Sequence, residues 1–246
     1  MGLPTFLSKV GLPSTEAEIV ALLRCEEVQE VRCFVLGPRK ISNIPQACEL
    51  WLRQNGLEDK ARLVIGERPD HYLLDAQAVH EPGVVPVFWT CAVYGKEKEL
   101  FFGDAVNTHM FLFSQVMPLD HMQLACRPGF LTTEHLETIC DLMLLPSDWK
   151  LLASHMSPKP LLDGLLANNP QSKWIEANSN GFAAEMVKLG QADACITTET
   201  ARLEQGLEQI HDFGTPDMVF FGGVTKHGVE LLKQVYASLS LATIGF

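Results

Sequence analysis

Short apolar runs take turns with amphipathic stretches along most of this chain, and that alternation restricts its fold more than any other feature. Cys33-Phe34-Val35-Leu36 runs into Gly37-Pro38, and residues 61–66 repeat the pattern. Between them, residues 42–56 put Ile44, Ala47 and Trp51 on one helical face and close on Asn55-Gly56. Strand, helix, strand predicts a parallel pair joined by a right-handed crossover. Apolar runs follow at 83–89, 109–117 and 122–128. After Pro128-Gly129 the pattern reads helix (132–146), strand (149–155), helix (157–170), strand (172–178), helix (179–190), strand (192–198), short helix (199–206) and strand (207–213). One more apolar run, 217–226, precedes a closing amphipathic helix at 229–242. So many strands fit two α/β lobes with a cleft between them better than one sheet. The boundaries expected are a helical appendage at 1–29, a first lobe of 30–119 with 213–246, and a second lobe of 120–212. In the appendage, Thr15 and Glu18 have capping-box spacing, and Ile19, Leu22 and Leu23 form one stripe.

Hydrophobic residues make up 47% of the chain, enough for packed cores, and no apolar run is long enough to span a membrane. The first residues lack the charged start and long apolar core of a secretory signal. The net charge of −11 argues against wrapping nucleic acid, whose binding rests on neutralising phosphates, but leaves room for a small anion in a local basic pocket. The seven cysteines are scattered without a C-x-x-C spacing, which favours reduced thiols and a cytoplasmic location. The eight histidines show neither H-x-x-x-H nor H-E-x-x-H, so no metal site and no other cofactor is expected.

Three junctions between a strand and a helix carry Ser, Asn or Gly: residues 37–43, 154–158 and 178–181. Helix starts offer unpaired backbone N–H groups and a dipole that favours a carboxylate or phosphate. Taken alone, each reads first as an ordinary N-cap. None has the glycine pattern of a dinucleotide or nucleoside triphosphate site. Together they suit a ligand with more than one anionic group, and Arg39 and Lys40 add positive charge at the first.

The order of these pieces resembles the prephenate dehydratase-like family, and within it the prephenate decarboxylases of bacilysin-type antibiotic pathways. The likeness runs over residues 31–225. It rests on Leu36-Gly37-Pro38, on Leu124-Ala125-Cys126-Arg127-Pro128, and on Ser154-His155 with Ser157-Pro158, where Met156 replaces a proline. It is most specific over 178–207: Asn178-Ser179, Ala183-Ala184, Val187, Gly190, Asp193, Thr197, Glu199, Ala201-Arg202 and Gly206-Leu207. The resemblance implies a type II periplasmic-binding-protein-like fold, two α/β lobes crossed twice by the chain, with the substrate held in the inter-lobe cleft.

The departures from a dehydratase are informative. Its Gly-Pro-x-Gly-Thr-Phe-Ser turn is here Gly37-Pro38-Arg39-Lys40-Ile41-Ser42-Asn43, where it carries Glu-Asn-Ser after a Val-Pro this chain follows Val85-Pro86 with Val87-Phe88-Trp89, and its Thr-Arg-Phe is Asp217-Met218-Val219. Expelling the ring hydroxyl of prephenate needs a proton donor beside it. Loss of carbon dioxide alone needs the carboxylate held out of the ring plane and a proton delivered to carbon, which positioning and desolvation can support. The resemblance therefore implies a carbon–carbon lyase: non-aromatising decarboxylation of prephenate in a specialised antibiotic or non-ribosomal peptide pathway.

The site residues that follow are His155 and Thr197 as catalytic groups. Arg39, Lys40, Ser42, Asn43, Phe88, Trp89, Ser154, Ser157, Asn178, Ser179, Thr198 and Met218 would bind substrate. Each has an ordinary alternative: capping for the Ser and Asn residues, core packing for Phe88 and Trp89, a β-branched strand end for the threonines, a satisfied histidine for His155. A dehydratase, an enzyme of another cyclohexadienyl or ketoacid substrate, and a non-catalytic anion-binding module stay open beside the decarboxylase. The expected partner is a small carboxylate, with no nucleic acid and no membrane; the stripe Val229, Leu232, Val235, Tyr236 and Leu239 fits a homodimer contact or docking on its own lobe.

Overall fold

The computed structural model describes residues 11–13, 15–37, 43–94, 99–100, 109–131 and 144–244, the last five by backbone alone. The chain forms two compact units, Met1–Met117 with Met218–Phe246, and Pro118–Asp217. It passes from the first to the second once and returns once.

In the first unit, β1 (Glu30–Leu36), β2 (Ala61–Gly66), β3 (Val84–Cys91), β4 (His109–Pro118) and β10 (Asp217–Thr225) form a five-stranded sheet in the order β2-β1-β3-β10-β4. β1 lies parallel to both β2 and β3, and β10 runs antiparallel to β3. The parallel strands are linked through helices, as their direction requires: α2 (Asn43–Gln54) between β1 and β2, and α3 (Pro69–Gln77) between β2 and β3. Strand alternation sends neighbouring residues to opposite faces. Phe34 and Phe88 meet Tyr72, Leu73 and Ala76 of α3 in one core cluster. Trp89, the residue after Phe88, packs against Trp51 of α2 with ring centroids 5.5 Å apart and ring planes tilted by 59°. Gly223, paired with Phe88 across β10, must lack a side chain, because a Cβ there would lie 2.3 Å from Phe88 Cε1. α7 (Lys226–Ile244) follows β10 and buries Val229, Leu232 and Val235.

α1 (Glu16–Arg24) belongs to this unit. Its capping box is formed: Thr15 Oγ1 accepts from Glu18 N at 3.3 Å, and Glu18 Oε2 accepts from Thr15 N at 3.2 Å. Ile19, Val20, Leu22 and Leu23 are buried, and Trp51 Nε1 donates to Glu16 Oε1 at 2.8 Å. At the other end Lys60 Nζ donates to the carbonyls of Arg24, Cys25 and Val28 at 3.0, 2.7 and 2.8 Å. A cation there answers both the orphan carbonyls and the negative helix terminus. Lys60→Met is expected to lower stability by roughly 2 kcal/mol, read as a lower urea midpoint, with faster amide exchange in α1.

In the second unit, β5 (Met122–Cys126), β6 (Leu151–Ser154), β7 (Lys173–Glu176), β8 (Ala194–Thr198) and β9 (Glu208–Asp212) form another five-stranded sheet in the order β7-β6-β8-β5-β9. β7, β6 and β8 are parallel, while β5 is antiparallel to β8 and β9. α4 (Lys159–Asn168) packs Leu162 and Leu165 on Leu124, Leu152 and Ile196. α5 (Asn180–Lys188) sets Ala183, Ala184 and Val187 against Ala125, Ala153 and Cys195, residues of the opposite parity and so of the opposite face. α6 (Glu199–Gln205) ends on Gly206, whose φ of 67° lies in the left-handed region that closes helices.

The helix α3 is absent from the pattern reading. Its signals are Pro69 in the first turn and the buried stripe Tyr72, Leu73 and Ala76. The helix expected over 132–146 falls mostly on residues outside those described. Among the described residues, no helix is long and apolar enough to cross a membrane.

Candidate functional site

Because β6, β7 and β8 are parallel, their carboxyl ends share one edge of the second sheet, where α4, α5 and α6 begin. Ligands of open α/β sheets bind at such edges. Ser154 pairs with Glu176 and Ala153 with Cys195, so His155 stands one step beyond, beside Ala177 and level with Thr197. Three bonds fix these ends together. Ala177 N donates to the Ser154 carbonyl at 2.9 Å. Thr197 Oγ1 donates to the Asn180 carbonyl at 2.8 Å. Trp174 Nε1 donates to Ser154 Oγ at 3.0 Å.

The edge gathers His155, Ser157, Asn178, Ser179, Thr197 and Thr198, all proposed from the sequence as site residues. Their surroundings differ. Ser154 and Thr197 are fully buried, with hydroxyls engaged by the fold. Ser179 Oγ accepts from Phe182 N at 3.0 Å, and Thr198 Oγ1 accepts from Ala201 N at 3.3 Å, so both act as N-caps of α5 and α6. Asn178 is exposed, and Ser157 is partly buried. What such an edge can offer an anion is the backbone N–H groups of the first helical turns and His155.

Partial burial pushes the His155 imidazole below its ordinary value of 6.5, with Glu176 pulling weakly the other way. Its Nδ1 accepts from Ser157 N at 3.3 Å. The neutral ring therefore carries its proton on Nε2, leaving that atom as the donor. A pKa depressed in the fold has a definite consequence. The neutral form is favoured, so the contribution is complete above pH 6.5 and is lost as pH falls through the folded value. Urea midpoints of the ligand-free protein are expected to drop on acidification below that pH, and less so in His155→Gln. Glu176 was not foreseen, since only the register of β6 against β7 brings it beside His155. Asn180 was also missed as a site residue; its Oδ1 is buried with no hydrogen-bond partner among the described residues.

In the first unit, Asn43 opens α2 and is partly buried, and Met218 is a partly buried residue near the start of β10. Phe88 and Trp89, proposed as pocket walls, are fully buried. Phe88 belongs to the core under α3, and the Trp89 carbonyl accepts from the Tyr72 hydroxyl. Arg39, Lys40 and Ser42 lie outside the described residues.

The two sheets define a two-lobed α/β protein of the type II periplasmic-binding-protein-like class. The BvgS periplasmic VFT2 domain of Bordetella pertussis matches it with a TM-score of 0.51 and 13% identity, covering 93% of this chain and 94% of that one. A prephenate dehydratase from Arthrobacter aurescens, solved with L-Phe, aligns at a TM-score of 0.48 and 16% identity over 79% of this chain and 60% of that one.

In sequence, the chain is related to a prephenate decarboxylase of Planktothrix agardhii (strain NIVA-CYA 126/8). The two are 43% identical over 70 residues, a segment that makes up 27% of this chain and 35% of that protein. No protein-family model matches the chain.

Proposed function

We propose that this protein decarboxylates prephenate without aromatising its ring. The observation that carries the reading is the 43% identity over 70 residues to a prephenate decarboxylase. The chemistry needs few groups. The bond between the ring and its carboxylate breaks, the electron pair enters the diene, a proton is taken up at ring carbon, and the carbinol hydroxyl stays in place. Carbon dioxide leaves, and the product is a dihydro-4-hydroxyphenylpyruvate.

The helix starts at the carboxyl edge of the second sheet suit a carboxylate. A neutral His155 can donate to the same group from Nε2. Bound anions would raise its pKa again, so binding would draw a proton to the ring that is then available for delivery. The dehydratase Thr-Arg-Phe is replaced by Asp217-Met218-Val219, which removes the family's acid from beside the hydroxyl. The likeness to bacilysin-type enzymes extends the proposal to a specialised peptide-antibiotic pathway in the cytoplasm. The proposed partner is a small carboxylate, with neither nucleic acid nor membrane, and with homodimerisation through the exposed part of α7.

Incubation with prephenate tests the reading. Carbon dioxide is expected without the ultraviolet absorbance of phenylpyruvate. Phenylpyruvate would make the chain a dehydratase, and tight binding with no gas would make it a binding module.

A further inference from the structure

His121 immediately precedes β5, and a neighbouring strand holds its side chain. Its Nδ1 lies 2.8 Å from Oδ2 of Asp212, the last residue of β9. The Gly214 N–H donates to the other oxygen, Oδ1, at 2.7 Å and holds the Asp212 carboxyl below its ordinary value, with Gln123 and His121 adding to the effect. An ionised carboxylate only accepts, so Nδ1 carries a proton. In the neutral ring Nε2 is then an acceptor, the reverse of His155. The polar groups behind the pair are spent inside the unit: Gln123 Nε2 donates to Asp212 Oδ2 at 3.4 Å, and Gln123 Oε1 accepts from Arg202 Nε at 2.7 Å. His121 Nε2 has no partner among the described residues, and the side chain is 45% exposed, so a ligand can reach it.

The sheet puts this histidine on the edge that holds His155. Met122 pairs with Thr198, and Glu199 N donates to the His121 carbonyl at 2.9 Å. His121 is therefore level with Glu199 at the carboxyl end of β8, while His155 is level with Thr197 on the other side of that strand. Gln123 pairs with Thr197 on β8 and with Asp212 on β9, and alternation puts His121 on their face. The same alternation brings His155 there, two residues beyond Ala153. Two strand spacings and a two-residue offset set the backbones of the two histidines on the order of 12 Å apart. A six-membered ring with polar groups on opposite carbons, hydrogen-bonded at both ends, covers such a span. All of these residues belong to the second unit.

As a dianion, prephenate has one hydrogen-bond donor, its ring hydroxyl; its other oxygens only accept. A lone acceptor on this edge matches that group alone. We propose that His121 Nε2 accepts the ring hydroxyl of the ligand while His155 Nε2 donates to its ring carboxylate. This rests on the reading of the chain as a prephenate decarboxylase and adds to it the means by which the hydroxyl is kept: an acceptor withholds the proton that would let it leave as water. The test compares prephenate with its deoxy analogue, in which hydrogen replaces the hydroxyl. The readout is kcat/KM for carbon dioxide release at about pH 8, above the ordinary histidine range. His121→Phe keeps a ring and removes the acceptor, His121→Ala removes both, and His121→Gln keeps an acceptor at similar reach. The parent's preference for prephenate over the analogue is expected to fall at least about tenfold in His121→Phe and His121→Ala, and to stay within about threefold in His121→Gln. Both ligands meet the same protein, so a change in stability cancels from the ratio. An unchanged preference in His121→Phe and His121→Ala shows that the pair with Asp212 only staples β5 to β9, and it overturns the inference with the prephenate reading left standing. A parent protein that releases no carbon dioxide from prephenate defeats that reading and this inference together.

Discussion

His155→Ala is expected to lower kcat on prephenate by about a hundredfold or more, the usual contribution of a positioned acid–base group. The histidine is placed by the ends of two paired strands and by the Ser157 N–H on its Nδ1, so Nε2 is the working atom. Its desolvation makes the free ring neutral near pH 7, and the dianionic substrate is what would charge it. Two roles then separate in the kinetics. If His155 delivers the proton, kcat falls with little change in KM; if it only holds a carboxylate, KM rises and kcat follows less. The side chain is only partly buried, and its Nδ1 accepts one backbone hydrogen bond, from Ser157 N, so circular dichroism and the urea midpoint of the variant at neutral pH should stay close to the parent. Full activity in His155→Ala would remove the residue from the mechanism.

Trp51→Ala is expected to cost roughly 3–5 kcal/mol of stability. Trp51 is 1% exposed, and its ring lies 5.5 Å from Trp89 and 4.5 Å from Phe113. Its removal leaves a cavity between α2 and the sheet. It also strips Glu16 of the indole N–H that ties α1 to the unit. Domains of ordinary stability hold only about 5–15 kcal/mol in reserve, so much of the first unit's margin is at stake. Trp51→Phe keeps most of the ring and loses only the tether, for roughly 1 kcal/mol. Urea unfolding followed by circular dichroism checks both values. A Trp51→Ala midpoint equal to the parent's would contradict the packing described for α2.

What was legible in the sequence was local or periodic. The capping box of Thr15 and Glu18 needs only four consecutive residues, and it is formed. The strands and helices from β6 to β9 follow from apolar period and from breakers such as Gly190 and Gly206. Partnership across strands was not legible. Ser154 looks like a ligand-facing serine until Trp174, on the neighbouring strand, is found donating to it. Phe88 and Trp89 read equally as wall or core because a strand buried on both faces has no polar side to betray which residues face a ligand. Glu176 acts on His155 through sheet register. The first helix start falls differently, since residues 38–42 are outside those described.

The proposal comes down to one chemical distinction, because dehydration and non-aromatising turnover both release carbon dioxide. Proton NMR of the ring after complete conversion of prephenate separates them. The account predicts olefinic and carbinol signals of a dihydro ring that still bears its hydroxyl, with no aromatic protons. Five aromatic protons of phenylpyruvate, or prephenate recovered unchanged, would contradict it.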